Sequence, residues 1–257
     1  MIEQKSLIKN LQINYKIFGD NLPIDNKTFL ILHGWGSSSD RWQLIGQLFS
    51  ENGFRVIIPD LPGFGKSEAP EKPWNFNNYV NFIEEFTESI NLRNFYLLGH
   101  SFGGSVAVKI AIDVPQKVNR LFLVACACIR KKTTFKKVLA KISKFIRIFS
   151  FLPYYFLARK AFYKFIIKKS DYVYTEGIMK ETYLNVISED LSHHLSFIKV
   201  PTVIIWGDKD EFTPIEDAYY INKKINNSEL VIIPEAGHDL NKKIPEILVK
   251  KVLEKCF

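Results

Sequence analysis

The sequence predicts an α/β protein: a mostly parallel central sheet flanked by helices, with a helical segment inserted late in the chain. Three observations carry this. Short, continuously apolar runs end at Gly or Pro, as strands covered on both faces do. Helical patterns alternate with these runs, the rhythm of βαβ units with right-handed crossovers. The rhythm lapses from about Ile129 to His194 and then resumes.

The strand candidates follow in order. Phe29 to Leu32 runs into His33-Gly34, and Arg55 to Ile58 into Pro59-Asp60. Phe95 to Leu98 ends at Gly99, and Leu121 to Val124 leads into two cysteines. Thr202 to Trp206 ends at Gly207, and Leu230 to Ile233 ends at Pro234. Between them, Val106, Ala107, Ile110, Ala111 and Val114 form a helical stripe that Pro115 stops. Ile215 to Ile225 and Ile244 to Leu253 read the same way. The resulting organisation is a core over residues 1–128, a helical cap insertion over 129–194 and a second core part over 195–257.

Composition excludes several classes. Hydrophobic residues make up 47% and charged residues 24%, enough for a large core and no sign of disorder. The N-terminus lacks an apolar signal region, and no run is long enough for a transmembrane segment; the expected location is cytoplasmic. Cys126, Cys128 and Cys256 read as reduced buried thiols, not a disulfide framework. The net charge of +8 is local: Arg130 to Ser170 holds 13 Lys or Arg and no acid, and the other residues are net acidic. No nucleic-acid-binding motif accompanies that charge, so no nucleic acid partner is expected.

Gly99-His100-Ser101-Phe102-Gly103 fits G-x-S-x-G, with a strand directly before it and an amphipathic helix directly after. A serine nucleophile there must sit on a tight, strained turn, and the glycines leave room for it. A serine hydroxyl needs a base. Of the five histidines (His33, His100, His193, His194 and His238), only His238 follows the last apolar strand. The stretch Gly207 to Pro214 after the preceding strand supplies carboxylates, Asp208 and Asp210 among them. Oxyanion stabilisation needs main-chain N–H donors. The expected pair is the amide of Phe102 and that of Trp35, within Leu32-His33-Gly34-Trp35-Gly36. Gly34, Trp35 and Phe102 are the expected substrate-binding residues.

HGWG at 33–36, DLPGFGKS at 60–67, GHSFGG at 99–104, GDKDEFTP at 207–214 and GH at 237–238 resemble the α/β-hydrolase superfamily almost end to end. The resemblance implies a Ser-Asp-His order with Asp210 as the triad acid, leaving Asp208 as the alternative. It implies that Asp60 fixes the loop near the oxyanion segment. HGWG with DLPGFG is similar to the pimeloyl-carrier methyl ester esterases, although GHSFGG departs from the GWSLGG usual there. The implied activity is a serine esterase acting on small-molecule carboxylic esters, with no metal and no cofactor. Carrier-dependent methyl esterase, lactonase, C–C bond hydrolase and a non-catalytic binding protein of the same fold stay open.

His33 reads as loop packing, His100 as a filler behind the elbow, and His193 and His194 as the polar exit of the cap. Val138, Leu139, Ile142, Phe145, Ile146 and Phe149 make an apolar stripe opposite Lys136, Lys137, Lys141, Lys144 and Arg147. One reading is a lid helix roofing the pocket. The other is a docking face for an acidic carrier protein or an anionic membrane surface.

Overall fold

A computed structural model describes residues 1–22, 27–130 and 175–256. Eight strands form one sheet in the order β1-β2-β4-β3-β5-β6-β7-β8. They are β1 (Ile2–Ile8), β2 (Leu11–Phe18), β3 (Thr28–Leu32), β4 (Arg55–Pro59), β5 (Phe95–His100), β6 (Val118–Val124), β7 (Thr202–Gly207) and β8 (Ser228–Ile233). β1 and β2 are antiparallel, and so are β2 and β4. From β4 across to β8 every pairing is parallel. The carboxyl ends of β3, β5, β6, β7 and β8 therefore lie along one edge, where an open α/β sheet binds its ligands.

Both faces are covered, and the strand residues divide between them. Leu30, Leu97, Leu121, Leu123, Ile204 and Trp206 face one cluster, with α2 (Phe76–Ser89), α3 (Phe102–Asp113) and α5 (Ile215–Lys224) against it. Phe29, Ile31, Leu98, Phe122, Val203 and Ile205 face the other, under α1 (Gln43–Glu51) and α7 (Pro245–Leu253). Two buried faces require apolar side chains at successive positions, which explains the unbroken runs in the sequence. The last helical stripe is divided: α6 (Leu240–Lys243) stops at Ile244, and Pro245 opens α7.

Between β6 and β7 the described residues add α4 (Gly177–Ser188). Its Thr182 hydroxyl accepts the Trp74 amide at 2.9 Å, and Asn185 donates to the Trp74 carbonyl at 3.2 Å, holding the helix to the loop ahead of α2. The apolar and basic stripe at 136–149 lies outside the described residues. Among those described, no helix is long and apolar enough to cross a membrane. Cys126, Cys128 and Cys256 are free and buried.

The N-terminal hairpin braces the sheet edge. Lys9 and Asn10 turn at φ 51 and 62, the left-handed pair of a two-residue hairpin turn. Lys16 on β2 is 2% exposed and meets Glu3 at 3.0 Å and Asp40 at 2.9 Å. Glu3 also takes Lys66 at 2.7 Å, and these partners hold its carboxyl down to about 2.

Candidate active site

Ser101 stands at the turn from β5 into α3 with φ 52 and ψ −115. A positive φ on a residue with a side chain costs energy and persists only where its surroundings enforce it. Here the Ser101 amide donates to the Val124 carbonyl at 3.0 Å. Its carbonyl accepts from Ala127 at 3.1 Å and Ser105 at 3.2 Å. The flanking glycines are sterically required. A Cβ at Gly99 would lie 2.5 Å from the Gly103 carbonyl oxygen, and one at Gly103 would lie 2.2 Å from that of Leu32.

The loop after β3 runs beside this turn. A Cβ on Gly34 would stand 3.3 Å from Ser101 Cβ. His33 holds the loop's shape. Its Nε2 accepts the Leu61 amide at 3.0 Å, so the ring proton sits on Nδ1, which donates to the Gly34 carbonyl at 2.8 Å. Burial pushes the His33 pKa below its usual value and keeps this neutral tautomer. Trp35 packs edge-on against Phe64, Phe102 and Tyr183, with ring centroids 4.8, 5.2 and 5.1 Å away. Neither the Trp35 nor the Phe102 amide has a hydrogen-bond partner among the described residues.

Asp60 is 1% exposed and, among the described residues, is satisfied without an ion pair. Its carboxylate accepts the Ser39 amide at 2.6 Å, the Lys66 amide at 2.9 Å and Asn14 Nδ2 at 3.0 Å. It thereby joins β2, the turn before α1 and the loop after β4.

The loops after β7 and β8 bring Asp210 and His238 together. Asp210 Oδ2 lies 2.7 Å from His238 Nδ1, and the Asp210 side chain is wholly buried. The carboxylate also accepts the amides of Phe212 and Thr213 at 2.8 and 2.9 Å and the Thr213 hydroxyl at 2.7 Å. Burial would raise its pKa, but His238 and the Thr213 donors outweigh that and hold it below the usual range. Asp208, the other carboxylate considered, makes no hydrogen bond to His238 among the described residues, and its Oδ1 is buried without a partner. Phe212 lies against the His238 ring, centroids 5.2 Å apart.

His100 links the loop after β8 to the turn at Ser101. Its Nε2 donates to the His238 carbonyl at 3.0 Å, and the two rings lie 4.8 Å apart. Burial, then the neighbouring His238, push the His100 pKa down to about 3. No hydrogen bond joins the Ser101 hydroxyl to His238 among the described residues. Those residues hold no group of three or more His, Cys, Asp or Glu arranged for a metal ion. The sequence reading left Thr213 without a role. Its only signal was a hydroxyl three residues after the acid.

The fold and this edge define a class: an α/β sheet carrying a serine at a strained strand-to-helix turn, with an acid and a histidine on later loops. The family model described as alpha/beta hydrolase fold matches residues 27–149 and 160–243, and the chain belongs to that family. Among relatives, Lipase 1 of Psychrobacter immobilis is 25% identical over 245 residues, covering 86% of this chain and 74% of its own. A 2-hydroxy-6-oxononadienedioate/2-hydroxy-6-oxononatrienedioate hydrolase of Pseudomonas putida is 23% identical over 252 residues, covering 89% and 86%. The solved esterase from Exiguobacterium antarcticum superposes with a TM-score of 0.76 at 22% identity, covering 99% of each chain.

Proposed function

We propose that this chain is a serine hydrolase that cleaves carboxylic esters of small or medium acyl groups through an acyl-enzyme. The observations carrying the reading are the strained Ser101 at the end of β5, the Asp210–His238 pair closed at 2.7 Å, and His100, next to Ser101, bonded to the His238 carbonyl. Strain of this kind is retained where function requires it.

Ser101 Oγ attacks the ester carbonyl while its proton passes to His238 Nε2. Asp210 holds Nδ1–H, which leaves Nε2 free to accept. The amides of Trp35 and Phe102 donate to the developing oxyanion, where one such donor contributes roughly 3 kcal/mol to the transition state. The carbon–oxygen bond to the alcohol then breaks, and the alcohol leaves with the proton from His238. Water repeats the sequence on the acyl-enzyme, giving the acid and free Ser101. From the described part of the insertion, Tyr183 of α4 packs against Trp35, and the Trp35, Phe64 and Tyr183 rings border the acyl group.

Hydrolysis of p-nitrophenyl esters of graded chain length, with labelling by a fluorophosphonate, tests this. Ser101→Ala should abolish labelling and lower the rate by about 10⁶-fold. Labelling that persists in Ser101→Ala, or its absence from correctly folded wild type, would overturn the assignment and favour a binding protein of the same fold.

A further inference from the structure

We infer that Thr213 is a positioning residue for the proposed triad, its hydroxyl fixing which oxygen of Asp210 faces His238. The inference rests on the reading above and adds a residue to it.

The proton inventory is closed at Asp210. An ionised carboxylate only accepts, so every group within hydrogen-bond reach must donate. Oδ1 takes the amides of Phe212 and Thr213 at 2.8 and 2.9 Å. Oδ2 takes His238 Nδ1 and the Thr213 hydroxyl, both at 2.7 Å. The hydroxyl has one proton and two possible acceptors. The Ala125 carbonyl is neutral and 3.4 Å away, so the charged, nearer oxygen takes the proton. The hydroxyl's lone pairs then face His238 Nδ1 at 3.4 Å, a weak second acceptor for the same ring proton.

Thr213 is itself held in place. It is 7% exposed, and its carbonyl accepts the indole N–H of the buried Trp206 at 2.9 Å. Its branched Cβ restricts χ1. One side chain thus braces the acid, faces the base and touches the end of β6. Without the hydroxyl, Oδ2 keeps a single donor and the carboxylate is free to turn. Its charge then falls more heavily on the imidazole, which favours imidazolium and loosens the ring. Among the described residues, the titratable groups set against His238 are Asp210, from the loop after β7, and His100, from β5; Asp239 follows it in the chain.

The test compares Thr213→Val, which keeps the volume, Thr213→Ala, and Thr213→Ser, which keeps the hydroxyl. In Val and Ala, kcat should fall on the order of tenfold or more, as expected for a lost hydrogen bond to a charged group. KM should change little. The acid limb of the kcat/KM profile should move to higher pH. Ser should restore both. The low-field proton resonance of the Asp210–His238 pair, observed without turnover, should shift in Val and Ala and return in Ser. Wild-type kcat with an unmoved acid limb in Val or Ala overturns the inference. Equal losses in Ser and Val overturn it too, because they make the role one of packing. An unmoved resonance overturns it even if the chain proves to be no esterase, which separates its failure from that of the proposed function.

Discussion

His100 gives the protein a defined weakness to acid. In the folded chain it is 7% exposed, and burial holds its pKa at about 3 against a usual 6.5. Between those values the unfolded chain binds a proton that the folded chain does not, so stability falls as pH falls. The contribution is whole above about pH 6.5 and is lost progressively toward pH 3. Each unit is worth about 1.4 kcal/mol, giving a loss of about 3 kcal/mol at pH 4.5 and about 4 kcal/mol at pH 3. His100→Gln removes the titrating group and keeps an amide N–H able to reach the His238 carbonyl. Denaturant unfolding at pH 7 and pH 4.5 should show wild type losing about 3 kcal/mol more than the variant. The comparison is between pH values within each protein, so a uniform cost of the substitution cancels. Buried His33, shifted in the same direction, contributes equally to both proteins. Equal losses in the two would refute the reasoning.

Two further outcomes follow from the loops. Asp210→Asn should lower kcat by about 10⁴-fold by favouring the wrong histidine tautomer, while Asp208→Asn should cost less than about tenfold; steady-state kinetics on one ester settles which acid serves the base. Gly103→Ala drives a Cβ to 2.2 Å from the Leu32 carbonyl oxygen and 2.5 Å from that of His33. Moving those backbones should cost about 1–3 kcal/mol, read as a fall in Tm with a disproportionate loss of fluorophosphonate labelling.

The parallel half of the sheet was legible because burial on both faces leaves strands such as Phe29–Leu32 and Leu121–Val124 apolar throughout. The N-terminal hairpin was not. β1 is largely exposed and mixes Glu, Gln, Lys and Ser with its apolar residues, and its turn uses Lys-Asn in place of a glycine pair. Lys16 conceals β2 further, since a charge at a fully buried position makes sense only once Glu3 and Asp40 are seen beside it. In the site, Ser101, Asp210 and His238 stood out because each follows a strand end in a short motif. Thr213 and the His100 link are contacts between side chains and loops that no local pattern records. His33 could be read as packing, but its tautomer depends on the Leu61 amide, 28 residues away.

The Asn14–Asp60 contact gives the front of the chain a reach beyond its own edge. Asn14 offers its side-chain amide to the Asp60 carboxylate at 3.0 Å and its carbonyl to the Asp60 amide at 2.8 Å. The family match begins only at residue 27. A gene shortened to that stretch would unhook the aspartate that ties Ser39 to Lys66 and let water into a dry joint. The damage would surface at the very next residue, where Leu61 meets His33, so the opening hairpin works as a strut for the loop that carries Gly34 and Trp35.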